Sequence, residues 1–200
     1  VAGVATQLVI QTQPSGAGQS GVAFAVQPGV RLADVFGNTV PTTGTVVTAA
    51  LASGAGTLGG TLTANTTTGV ATFGNLSITG PTGAYTVRFT SGALAPDTST
   101  AITIGAGAAT KLAMVTQPST TATNGVAFPV QPSVQLQDAA NNPVAQAGVL
   151  VTAAISTGNP ALGGTLTATT NAGGLATFTN LVITGVVGAR TLAFSSGVLT

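Results

Sequence analysis

The residues ATQLVIQTQPS at 5–15 return at 109–119 as ATKLAMVTQPS, and the return continues along the chain. GVAFAVQP (21–28) becomes GVAFPVQP (125–132), VTAAL (47–51) becomes VTAAI (151–155), and LGGTLTA (58–64) recurs unchanged at 162–168. ATFGNLSITG (71–80) becomes ATFTNLVITG (176–185), and RFTSGAL (88–94) becomes AFSSGVL (193–199). A period of about 100 residues is the size of a whole small domain, not of one solenoid turn. The chain therefore reads as two copies of one domain in tandem.

Within each copy the apolar residues alternate. Leu8, Ile10 and Thr12 share one phase, as do Val30 and Leu32, Val47, Ala49 and Leu51, Ala71 and Phe73, Val87 and Phe89, and Ile102 and Ile104. A period of two places one set on the core face of a strand and the other toward water. The second copy keeps the phase with Leu112, Met114, Val134, Leu136, Val151, Ala153, Ile155, Ala176, Phe178, Leu192 and Phe194. Threonine and valine suit such half-buried strands. Gly and Pro punctuate them at short spacing, and no amphipathic helical stretch competes. The expected fold class is all-β, with two tandem β-sandwich domains. The expected boundaries are a linker at 1–4 (Val1–Val4), repeat 1 at 5–104, a linker at 105–108 and repeat 2 at 109–200.

DVFGNTV, GGTLTA, GVATFGNLSITG and GAYTVRFTSG, in this order and spacing, resemble the bacterial immunoglobulin-like repeats of large surface proteins, the invasin and intimin type. The resemblance covers essentially the whole chain, twice. It implies two tandem immunoglobulin-like β-sandwich domains used as spacers, stalks or binding tips. In one place the copies differ: Tyr85 stands where a tyrosine corner is expected, and repeat 2 has Arg190 there.

Composition narrows the function. Only 4% of residues are charged and the net charge is +1, so nothing marks a nucleic-acid surface. Threonine is the most frequent residue, and a nearly neutral, hydroxyl-rich surface favours association. Gly, Thr, Ser or Pro interrupts every apolar stretch before 18 residues, and aromatics, at 4%, are too few for the girdles of a membrane barrel. No membrane insertion is expected. There is no Cys for a disulfide framework.

The inventory for chemistry is small. With no His and no Cys, the usual base of a nucleophilic triad and the usual zinc ligands are missing. The acids are Asp34, Asp97 and Asp138, and the bases are Arg31, Arg88, Lys111 and Arg190. Asp97 has no counterpart in repeat 2, so paired carboxylates are not expected there either. No enzyme activity, cofactor or metal is expected. Asp34 and Asp138, in DVFGN and DAANN, admit a calcium reading. A turn is preferred, in which Asp accepts from nearby N–H groups and Gly37 or Asn141 takes positive φ. Gly59–Gly60 read as a bulge or tight turn, because a strand pattern rather than a helix follows. Asn65 (NTT) and Asn75 (NLS) fit the N-glycosylation pattern, which repeat 2 does not keep, and Thr-dense loops admit O-linked sugar.

Phe24 and Phe128, in the repeated GVAF phrase, are expected to plug the core, with Pro28 and Pro132 stiffening the chain beside them. Repeat 1 continues through PDTSTAITIG, whose alternation reads as a strand, whereas repeat 2 has no counterpart in the sequence. The expectation is a sandwich without its last strand, open either to strand donation or to further polypeptide. The functional expectation is a structural protein: a filament subunit, surface stalk or adhesin, extracellular or at the cell surface. Its partners would be neighbouring copies or adjacent repeats, with surface glycans as further ligands. The alternatives are a carbohydrate or cell-surface binding module, for which few aromatics are free, and a phage tail or capsid decoration domain.

Overall fold

The computed structural model describes residues 2–157, 161–197 and 199. Val1 and Thr200, on which two of the expected boundaries fall, lie outside them. The described residues form strands, turns and loops, with no helix among them. The chain divides into two compact units, Val1–Gly107 and Ala108–Thr200.

Among the described residues of unit 1, eleven strands follow one another. They are β1 (Gln7–Thr12), β2 (Ala17–Gln19), β3 (Gly29–Ala33), β4 (Val46–Ser53), β5 (Thr57–Gly59), β6 (Thr63–Thr67), β7 (Val70–Thr72), β8 (Ser77–Thr79), β9 (Gly83–Thr90), β10 (Asp97–Thr98) and β11 (Ile102–Gly105). Nine of them make one continuous sheet in the order β1-β3-β7-β6-β4-β9-β11-β2, with β10 added on β9, and β5 pairs with β8 separately. The sheet folds over on itself. Leu8 of β1, Val30 and Leu32 of β3 and Ala71 of β7 share one buried cluster with Val47 and Ala49 of β4, Val87 and Phe89 of β9, and Ile102 and Ile104 of β11. This is the two-layer packing of a β-sandwich. The rings of Phe73 and Phe89 meet at its centre with centroids 5.3 Å apart, a tilted aromatic pair.

The alternation holds through β4, β7, β9 and β11; in β3 Val30 and Leu32 are buried as their phase requires, but Ala33, of the opposite phase, is buried too. It breaks at the end of β1. The register shifts between Ile10 and Thr12, so Thr12, expected inward, is exposed. An extra residue in one strand turns every later side chain to the other face. The same shift occurs between Met114 and Thr116 in unit 2.

Unit 2 repeats the plan with β12 (Lys111–Thr116), β13 (Ser133–Gln137), β14 (Leu150–Ile155), β15 (Ala161–Gly163), β16 (Thr167–Thr169), β17 (Leu175–Thr177), β18 (Val182–Thr184) and β19 (Leu192–Ser195). Its ladders are separate: β12-β13-β17, β16-β14-β19 and β15-β18. The core phase is kept in Val134, Val151, Ala153, Ala176 and Phe178, and Phe178 meets Phe194 at 5.3 Å. However, Leu112, Met114, Leu192 and Phe194 are only partly buried, whereas Val87 and Phe89, the counterparts of the last two, are fully enclosed.

Candidate functional site

The feature most able to serve a function in unit 1 is the seam between its first and last segments. β11 lies antiparallel to β9 on one side and parallel to β2 on the other, with Thr103 opposite Ala17 and Ile104 opposite Gly18. Thr103 N–H donates to Gly16 O and Ser20 N–H to Gly105 O, both at 2.9 Å. Earlier in the segment, Leu8 N–H donates to Ala95 O at 2.8 Å and Ala95 N–H to Thr6 O at 2.9 Å. Side chains add two more links: Ile10 N–H donates to Asp97 Oδ2 at 2.8 Å and Thr100 N–H to Gln13 Oε1 at 3.1 Å. Residues 95–105 are thus bonded along their length to residues 6–20. Ile102 and Ile104 are buried at the seam.

The charged residues do structural work nearby. Asp34, almost fully buried, accepts four N–H bonds, from Gly3 and Asn38 Nδ2 at Oδ2 and from Phe36 and Asn38 at Oδ1. This is the expected Asx turn, with Gly37 at φ 82°. The four donors use the lone pairs that a cation would need. The Gly3 N–H and the Asn38 side chain hold the carboxyl at about 2, below the usual 3.8, against the opposing effect of burial. Because the folded value is the lower one, this stabilisation is complete above pH 3.8 and is lost as pH falls toward 2. The urea midpoint of unit 1 should therefore fall between about pH 4 and pH 2, and Asp34→Asn should flatten that slope. Tyr85 is the only Tyr in a chain without Trp, so its fluorescence reads unit 1 alone.

Asp138 builds the same turn in unit 2, accepting from Ala140, Asn142 and Asn142 Nδ2, with Asn141 at φ 67°. Arg31 Nη1 donates to Gly37 O at 2.7 Å and so holds the first of these loops. Lys111 Nζ reaches Asn141 Oδ1. Among the described residues no cluster of three His, Cys, Asp or Glu side chains forms.

Tyr85 is buried, and its hydroxyl donates to Pro81 O at 2.6 Å, four residues upstream, as a corner tyrosine does. The ring lies on Gly54, where a Cβ would sit 2.1 Å from Tyr85 Cδ1. In unit 2 the guanidinium takes over the bond: Arg190 Nη2 donates to Val186 O at 2.9 Å and Nη1 to Ala189 O at 2.8 Å. The change of residue type keeps the corner bond with a different donor.

The repeated VQP holds a pair of residues that sequence reasoning passed over. Gln27 Nε2 donates to Phe24 O and to Leu76 O at 2.9 and 3.0 Å, and Leu76 N–H donates back to Gln27 Oε1 at 2.8 Å. Gln131 makes the same three bonds to Phe128 and Leu181. Each amide clips two distant backbone segments together. Phe24 and Phe128 are buried beside these clips.

Asn65 and Asn75 are both exposed. Asn75 Oδ1 accepts from Thr61 N–H at 2.7 Å, and Asn180 does the same for Thr165. Thus Asn75 closes the Gly60 turn with its oxygen, while glycan attachment uses the nitrogen. A Cβ at Gly60 would lie 2.2 Å from Asn75 O, so the expected tight turn admits only glycine. Of the aromatic residues only Phe36 is fully open to solvent, at 87% exposure, in the Asp34 loop.

In unit 2, two grooves lie where residues 95–105 lie in unit 1. One, of about 320 Å³, runs between residues 118–124 and 185–192, and the other, of about 330 Å³, lies between Leu112, Met114 and Phe194.

No family model matches the chain, and no curated protein matches it. Among solved structures it is similar to the D0-D1 domain of Intimin, at 17% identity and a TM-score of 0.39, over 95% of this chain and 90% of that one. Likeness at this level carries no weight for function, which rests on the bonds described above.

Proposed function

We propose that the chain is a non-enzymatic, load-bearing immunoglobulin-like module of an extracellular or cell-surface protein, a spacer within a stalk, filament or adhesin. The observation that carries this reading is the parallel pairing of the first and last segments of unit 1. When first and last strands run parallel, the chain enters at one end of the seam and leaves at the other. Tension between the ends then loads the seam's hydrogen bonds in shear, so they must break together rather than in turn. The spending of Asp34, Asp97, Asp138, Arg31 and Arg190 on backbone positions also supports a structural role. Catalysis would need an acid–base pair held in a cleft. The hydroxyl-rich, nearly neutral surface and the exposed Asn65 and Asn75 fit an extracellular setting. A carbohydrate-binding reading has a single open aromatic, Phe36, in its favour.

The test is stretching the whole chain by its ends. Thr103→Pro removes the Thr103 N–H bond to Gly16 at an exposed position. It should lower one unfolding force by half or more and leave the event from unit 2 unchanged. An unaltered force profile would count against the proposal.

A further inference from the structure

We infer that the outer face of the three strands β6, β4 and β9, with its counterpart on β16, β14 and β19, is an ice-binding surface. The inference goes beyond the module reading and stands apart from it. That reading rests on the seam of unit 1, and this one on solvent-facing side chains of both units.

The alternation that buries one face of these strands leaves the other to water. On that outer face the hydroxyls are in register. Thr48 of β4 stands opposite Thr63 of β6 on one side and Thr90 of β9 on the other, and all three are exposed. In unit 2, Thr152 of β14 stands between Thr167 of β16 and Ser195 of β19 in the same way, and these three are exposed too. Each unit thus carries a row of hydroxyls across three strands. None of these six hydroxyls has a hydrogen-bond partner among the described residues. Inward-facing threonines are different: Thr66 and Thr170 donate to Thr42 O and Gln146 O at 2.7 Å. The next row holds Val46 and Asn65 in unit 1, and Leu150 and Thr169 in unit 2. Exposed residues elsewhere change freely between the copies: Val35 and Phe36 become Ala139 and Ala140, and Pro81 and Thr82 become Val186 and Val187. The three positions of the hydroxyl row keep a hydroxyl in both, which marks the face as used.

The occupant follows from spacing and charge. Neighbouring strands lie about 4.8 Å apart, and alternate residues of one strand about 6.8 Å apart. Both repeats are close to those of the oxygen atoms on a prism face of ice. Threonine at such points offers a hydroxyl to bond water and a methyl to fill the hollow between waters. An ice surface is flat, uncharged and periodic, and this face matches it. Its rows run through continuous strand pairing, and Arg88, opposite Ala50, is the one charged residue beside them. In unit 2 that pair is Ala154 and Ala193. A saccharide surface would call for open aromatic rings, and the one open aromatic, Phe36, lies in the Asp34 loop instead. The face of unit 2 is the better of the two, with Thr169 for Asn65 and Ala193 for Arg88.

The experiment grows single ice crystals in solutions of the full chain at up to millimolar concentration. It measures the gap between the melting temperature and the temperature at which growth resumes. The chain should facet the crystals and hold a gap that an unrelated globular protein at the same concentration does not. Thr152→Lys should remove more than half of the gap, Thr48→Lys less, and the two together all of it. Gln11→Lys adds the same charge on β1, away from the face, and should leave the gap intact. The Tyr85 melting midpoint and the far-ultraviolet circular dichroism show that each variant is folded. Rounded crystals with no gap overturn the inference, as does a gap that survives the double substitution in a folded chain. Sedimentation supplies the remaining outcome: a dimer of the wild-type chain that the double substitution abolishes assigns the face to a second copy and overturns the inference too. The stretching result is independent of all these outcomes.

Discussion

Phe89→Ala should destabilise unit 1 by about 3–5 kcal/mol, the cost of removing a fully buried ring and leaving its cavity. Phe89 is enclosed and packs on Phe73 at 5.3 Å, so little can collapse into the space. A unit of this size has a total stability of about 5–15 kcal/mol, and the loss should lower its melting temperature by roughly 15–30 °C. Tyr85 fluorescence during heating measures it. The paired variant, Phe194→Ala, is the informative control. Its ring meets Phe178 at the same distance but is only partly buried, so the loss should be less than half as large. It should appear in the far-ultraviolet circular dichroism with the Tyr85 signal unmoved. Equal losses in the two units would mean that Phe194 is as well covered as Phe89.

Gln27→Ala should cost about 2–3 kcal/mol, more than an exposed polar side chain normally contributes. Its amide satisfies the N–H and C=O of Leu76, which is fully buried, and the carbonyl of Phe24. Truncation takes this partner from the Leu76 N–H and the Phe24 carbonyl where water has little access, while the Leu76 carbonyl keeps the Phe24 N–H at 2.9 Å; the penalty is the desolvation of the groups left unpaired. Gln27→Glu keeps the acceptor for Leu76 N–H but places an anion against two carbonyls, and it should be no better than Ala. Gln131→Ala should leave the Tyr85 transition where it is and shift only the unfolding of unit 2. A Gln27 variant that unfolds at the wild-type midpoint would show that the clip is dispensable.

The repeat and the alternation made the architecture legible before any coordinates, because period-two patterning kept in two copies fixes which face is buried. Val30, Leu32, Val47, Phe73, Val87, Phe89, Ile102 and Ile104 all lie where their phase puts them. Thr12 does not, because a register shift leaves no trace in residue type. The Asp34 turn was readable from local chemistry, since all but one of its bonds lie within four residues. The Gln27 clip was not, because its partner is 49 residues away. The repeat of Gln in both copies is the one signal of it in the sequence. The corner bond of Arg190 shows a second limit: a guanidinium and a phenol can fill one structural role, so a change of residue type did not mean loss of the bond. The parallel seam was invisible for a similar reason, since alternation marks strands but does not say which strands become neighbours.

The measurement that tests the load-bearing claim most directly is the unfolding force of unit 1 in two directions. Pulled by the ends of the chain, the seam between residues 6–20 and 95–105 is loaded in shear. Pulled through Gly16→Cys and Ala101→Cys, which stand at the same end of the parallel β2–β11 pair, its bonds open one at a time. The account expects the end-to-end force to be several-fold the higher. Equal forces in the two directions would contradict it.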